Sequence, residues 1–119
     1  MQPEVYLSFE GQCYYNEYEG FTTVRYIYLG QKGTKTKSVM EMISGRGPVN
    51  MLVAGNNDVF LQYESGIISE KSYCPSDDAD LDHFVVAVGY GKDEQTGMTY
   101  YIIKNSFGTS WGETGYVRI

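Results

Sequence analysis

One histidine, His83, and two cysteines, Cys13 and Cys74, are the side chains best suited to act as base, nucleophile or soft metal ligand near neutral pH. His83 opens an apolar run, His83 to Tyr90 (HFVVAVGY), directly after an acidic turn, Ser76 to Asp82. Alone, it reads most simply as a strand-end imidazole satisfied by a backbone carbonyl. Asn105 changes that weighting, because it ends a second strand-like run, Thr99 to Lys104 (TYYIIK), and begins a glycine-punctuated loop, Asn105 to Gly112. If the two runs pair as a hairpin through Gly91 to Met98, the start of the first and the end of the second meet at one edge. His83 and Asn105 are then neighbours. An amide oxygen accepting from one ring nitrogen leaves the other nitrogen free to face a thiolate. Asn also suits an imidazolium that already has the thiolate as its counter-charge, so no buried carboxylate is required.

The elements that must carry this pair are short strands joined by tight turns, as 12 Tyr and 14 Gly imply. Val24 to Leu29 reads as a strand. Thr36 to Ser44 reads as a helix, with Ser38 and Glu41 at capping-box spacing, an apolar face of Val39, Met40, Met42 and Ile43, and Gly45 to close it. After Gly47-Pro48, Val49 to Ala54 reads as a buried strand, and Val59 to Tyr63 as one helical turn. The loop Ser106 to Gly115 leads into a last strand, Tyr116 to Ile119, where the sequence stops inside apolar residues, as a truncated domain would.

At 119 residues, with 42% hydrophobic residues and net charge −6, the composition is that of one globular domain. The acidic balance argues against nucleic-acid binding, which needs clustered Lys and Arg. No apolar run approaches the roughly 18 residues of a spanning helix. The start, Met1-Gln2-Pro3-Glu4, is unlike a signal peptide, which leaves a cytosolic chain or one whose original N-terminus has been removed. The widely spaced cysteines fit neither a disulfide scaffold nor a zinc ribbon. One mutual disulfide, two free thiols and two bridges to other polypeptide all remain open.

Several motifs fail. Asp78 to Asp82 imitates a calcium loop, but His83 stands where the turn needs Gly and Gly89 where a bidentate Glu belongs. Gly45-Arg46-Gly47 lacks the third glycine of a dinucleotide fingerprint. Lys32, Lys35 and Lys37 read as a solvated loop in an acidic chain.

Leu81-Asp82-His83 with its Val-rich strand and Gly89-Tyr90-Gly91, followed by the block Tyr101 to Tyr116 (YIIKNSFGTSWGETGY), resembles the C-terminal half of the papain-like cysteine proteases, the cathepsin family. The resemblance extends through Gly47-Pro48-Val49 and Phe60 to Ile67, and reaches Tyr6 and Cys13. It implies an α+β fold, mainly antiparallel β: the barrel-like right-hand half of the papain fold, with short helices against the sheet. His83 then looks like the catalytic histidine and Asn105 like the residue that orients it. Trp111 looks like the second tryptophan of the family's N-S-W-G-x-x-W-G block. Leu52, Leu81 and Phe84 fall where the family lines the pocket for the substrate side chain two residues before the scissile bond. No metal or organic cofactor is implied.

Three features depart from the family. Its catalytic Cys and the Gln of its oxyanion hole belong to an N-terminal half that these residues do not contain, and the resemblance places Cys13 and Cys74 at bridging positions instead, to that half and to a stretch beyond Ile119. Phe107 stands where the family usually has a Trp shielding the Asn/His hydrogen bond, and Phe84 where it has Gly or Ala, so that a ring there fills part of the specificity pocket. The expectation is therefore one half of a peptidase (residues 1–119), hydrolysing peptide bonds when joined to its Cys-bearing half, with that N-terminal half or another protein subunit as partner and a peptide as substrate once completed. The rival expectation is a non-catalytic, protease-derived structural or binding subunit. Either way, an apolar face around His83, Phe84 and Phe107 and an open strand edge at Tyr116 to Ile119 are expected to seek a partner. The resemblance implies a lysosomal or secreted setting.

Overall fold

The computed structural model describes residues 36–69, 73 and 81–119. Cys13, Cys74, Tyr6, the strand expected over Val24 to Leu29, Lys32, Lys35 and the acidic residues before Leu81 lie outside them. In chain order the elements are helix α1 (Thr36–Arg46), strand β1 (Val49–Val53), the single helical turn α2 (Asp58–Leu61), and strands β2 (His83–Lys92), β3 (Thr99–Lys104) and β4 (Tyr116–Arg118). The strands form one four-stranded antiparallel sheet in the order β1-β2-β3-β4. This is the α+β architecture expected, with the sheet unclosed among the described residues rather than rolled into a barrel. No helix among them is long and apolar enough to cross a membrane.

Helix α1 buries Val39 and Ile43, one turn apart, against β1 and β2, while Met40 and Met42 are half-buried at the margins. Its ends differ from the expectation. Ser38 lies inside the first turn rather than at the cap, and Glu41 sits one turn from Lys37, 3.8 Å away in an exposed pair worth little. The helix runs past Gly45 to Arg46 and stops at Gly47, whose φ of 110° is open to glycine and whose N–H reaches back to the carbonyls of Met42 and Ile43 at 3.2 Å. Pro48 cannot continue it. The turn α2 starts one residue earlier than expected because Asn57 caps it, its side-chain oxygen accepting from the Val59 N–H at 2.9 Å.

The β2–β3 hairpin turns where expected. The Asp93 N–H donates to the Met98 carbonyl at 2.8 Å, and the Asp93 carboxylate accepts from the Thr96 hydroxyl and N–H, which holds its carboxyl below the usual range. A bulge between Ala87 and Gly89 shifts the register once. Below it, Ala87 faces Ile103 and Ile103 faces Val117, and all three are essentially fully buried. They form the centre of the core, with Val85, Val53 and Phe60 around them. The outer side of β4 is not the open edge expected. Ile67 bridges to Arg118 in parallel, and the Ile68 N–H donates to the Arg118 carbonyl at 2.9 Å.

The same strand is tied to the loop before it. Arg118 donates Nε and Nη2 to the two carboxylate oxygens of Glu113 at 3.0 and 2.6 Å, and the Gly66 N–H donates to Oε1 at 3.0 Å. These bonds, the guanidinium's first, hold the Glu113 carboxyl below its ordinary pKa. A carboxyl depressed in the folded state stabilises fully above its unfolded pKa near 4.3 and loses that contribution as pH falls through the lower folded value. Because the pair is about a third exposed, Glu113→Gln is expected to lower stability at pH 7 by only about 1 kcal/mol. It should also flatten part of the acid limb below about pH 5 in a denaturant titration against pH. An unchanged acid limb would contradict this.

Candidate active site

Along β2 the side chains alternate, so His83 continues the inward row of Val85 and Ala87, while Phe84 faces outward. On β3 the inward residue is Ile103, and Asn105 extends that row just past the strand's end. The hairpin therefore brings the two together, with His83 Nε2 2.7 Å from Asn105 Oδ1. A second donor, the Ser106 N–H, meets the same oxygen at 2.8 Å. The Ser106 N–H can only donate, so the atom it meets is the amide oxygen, and an oxygen facing Nε2 assigns the ring proton to Nε2. In the neutral imidazole Nδ1 is then left with a lone pair.

Asn105 is 9% exposed, and its Nδ2 has no acceptor among the described residues. A buried amide group without a partner costs about 1–3 kcal/mol. Its backbone is clamped as well, with its N–H donating to the Gly115 carbonyl at 3.0 Å. The molecule thus holds an energetically unfavourable side chain firmly in place beside His83.

Three further features confine the imidazole. Phe107 packs against it with ring centroids 5.0 Å apart at 31°, and Phe60 approaches at 5.8 Å and 69°. The backbone of Gly55 runs so close that any Cβ there would come 2.4 Å from His83 Cβ. Asp82 secures that approach, accepting from the N–H groups of Gly55 at 2.7 Å and Asn56 at 3.3 Å, while its own N–H donates to the Val53 carbonyl at 3.1 Å. The acidic residue that belonged to a failed calcium motif thus ties the end of β1 to the start of β2.

Trp111 stands one ring farther out. It packs on Phe107 at 5.5 Å and Phe60 at 5.0 Å, and its indole N–H is shared by the carbonyls of Phe60 at 3.2 Å and Leu61 at 3.1 Å. Leu52 and Phe84 are cross-strand partners, 44% and 73% exposed, on the outward face of the sheet, so the one apolar face expected around His83, Phe84 and Phe107 is divided by strand alternation, with His83 and Phe107 packed together on the inward side. Leu81 is half-buried just ahead of β2. Sequence reasoning gave no role to Phe60, Asp82 or Gly55. Asn57 before an acidic residue was a readable cap signal for α2, whereas backbone partners of Asp82 leave no trace in side-chain pattern.

Residues 2–119 match the family model described as papain family cysteine protease. A cathepsin L-like proteinase from Fasciola hepatica is 38% identical over 114 residues, covering 96% of this chain and 33% of that protein. Among solved structures, the bromelain protease from Ananas comosus in complex with the E64 inhibitor superposes with a TM-score of 0.57 at 38% identity, over 69% of this chain and 34% of that one. Digestive procathepsin L 3 of the Tenebrio molitor larval midgut gives 0.59 at 36% identity, over 69% and 25%. The chain spans about a third of the length of the curated relatives it matches.

Proposed function

Because the chain belongs to the papain family of cysteine proteases, we propose that His83 and Asn105 are the acid–base and orienting residues of a peptide-bond hydrolase whose nucleophilic cysteine lies in polypeptide outside these 119 residues. The observation that carries this reading is the 2.7 Å contact between His83 Nε2 and Asn105 Oδ1, supported by the Ser106 N–H on the same oxygen.

With Nε2–H held by Asn105, Nδ1 takes the proton of the thiol and leaves a thiolate–imidazolium pair. The thiolate sulfur attacks the carbonyl carbon of the scissile bond. As the tetrahedral intermediate collapses, Nδ1–H gives its proton to the departing amine and the C–N bond breaks, leaving a thioester. His83, neutral again, then draws a proton from water as its oxygen attacks the thioester carbon; the second tetrahedral intermediate collapses with breakage of the C–S bond, which releases the carboxylic acid and restores the thiolate–imidazolium pair. Phe107 keeps water from the His83–Asn105 bond. Leu52, Leu81 and Phe84 form the contact surface for an apolar substrate side chain, and Trp111 flanks the leaving-group side.

Joined to a cysteine-bearing segment of this family, the chain is expected to take up one equivalent of a thiol-directed epoxide. Mass spectrometry should place the adduct on that segment, and His83→Ala should slow labelling. Labelling on Cys13 or Cys74, or a rate indifferent to His83, overturns the assignment.

A further inference from the structure

We infer that Phe60 is a positioning residue for His83, holding the imidazole in the plane in which Nε2 meets Asn105. The proposal rests on the reading of His83 as the acid–base group but is tested independently of it. Rotation about the Cβ–Cγ bond of a histidine is broad and roughly two-fold, and half a turn would carry Nε2 away from Asn105. A single hydrogen bond between neutral groups restrains such a rotation only weakly. Packing must do the rest.

Phe60 is placed to do so. It is 0% exposed and is the ring common to both sides of the site. It approaches His83 at 5.8 Å, Phe107 at 6.0 Å and Trp111 at 5.0 Å, and stacks on Tyr73 at 6.1 Å on another side. The T-shaped geometry with His83 and with Phe107 sets a flat, stiff wall at the corner where those two rings meet. Its own backbone is tethered to the loop that carries Phe107, since its carbonyl accepts from the Trp111 indole. The capping of α2 by Asn57 fixes the other end. A movement of Phe60 therefore opens space beside His83 and slackens Phe107 together.

The chain has a single histidine, so labelling imidazole nitrogens with 15N gives one ring to observe. In the unaltered chain the neutral ring is expected as the Nε2–H form alone, with slow exchange of that proton with water. Phe60→Leu keeps an apolar side chain but removes the wall. It should speed exchange of the ring proton at least ten-fold, measured well below its own melting temperature, and should bring in the Nδ1–H form. Val39→Ala, a buried change in α1, serves as a control of comparable melting-temperature loss and should leave both readings unaltered. Should Phe60→Leu not fold, Phe60→Met, unbranched and adaptable, is read in the same way. Exchange and tautomer unchanged in the Phe60 variant, or changed equally in the Val39 control, overturn the proposal. If instead the peptidase reading fails, the joined protein is inactive while the effect of Phe60 on the ring persists.

Discussion

In a polypeptide joining this chain to its cysteine-bearing segment, His83→Ala is expected to lower kcat for peptide hydrolysis by about 10³–10⁴-fold, and Asn105→Ala by about 10²-fold. The larger loss follows from removing the only imidazole, which takes a proton in one step and gives one in the next. No neighbouring described group has the chemistry to replace it, because those against His83 are the rings of Phe60 and Phe107, the Asn105 amide and the backbone of Gly55. The smaller loss follows from geometry. Without Oδ1 the ring keeps its proton-transfer capacity but loses the acceptor 2.7 Å from Nε2, so either nitrogen can carry the proton and part of the population points the wrong way. Asn105→Ala also removes the buried, unpartnered Nδ2, which offsets part of the cost of leaving Nε2–H and the Ser106 N–H without their acceptor. Loss of rate larger than the loss of stability explains is the pattern to seek, by steady-state kinetics beside thermal unfolding. A joined protein whose kcat survives His83→Ala would refute the assignment.

The largest expected effect on stability is at Ile103. It is 1% exposed at the middle of the sheet, between Ala87 on β2 and Val117 on β4. Both neighbours are fully buried and held by strand pairing, so they have little freedom to collapse into the space left by truncation. Ile103→Ala is therefore expected to cost about 2–5 kcal/mol, a large share of the roughly 5–15 kcal/mol that stabilises a domain. Because Asn105 follows two residues later on the same inward row, the variant should also loosen the His83–Asn105 contact. A urea midpoint close to that of the parent protein would contradict this account of the core.

The site was readable to the extent that it depends on period and on turn chemistry. The run Thr99 to Lys104 has the bounds that β3 adopts, and the polar segment between it and β2 has the composition of a hairpin connection. Once both strands are placed, alternation alone puts His83 and Asn105 on the inward side and Phe84 outward. What supports the pair is harder to see, because it comes from contacts between elements distant in sequence. Phe60 reads locally as one apolar residue in a helical turn, and nothing near it announces that its ring meets His83, Phe107 and Trp111. Asp82 looks like part of a surface acidic run, yet its partners are backbone N–H groups of another strand's exit turn. At the end of α1, two glycines competed as the stop. Gly47 won because it is followed by Pro48 and takes the left-handed conformation, whereas Gly45 remains helical.

In the proposed function these 119 residues supply the base and its orienting amide, while the nucleophile comes from polypeptide outside them. The hydrolysis rate of a dipeptidyl fluorogenic amide by the 119-residue chain, with and without covalent joining to the cysteine-bearing segment, decides between this division of roles and its rival. The chain alone is expected to give no turnover, and the joined protein turnover that a thiol-directed epoxide abolishes. Epoxide-sensitive turnover by the chain alone would contradict it, because Cys13 or Cys74 would then be the nucleophile.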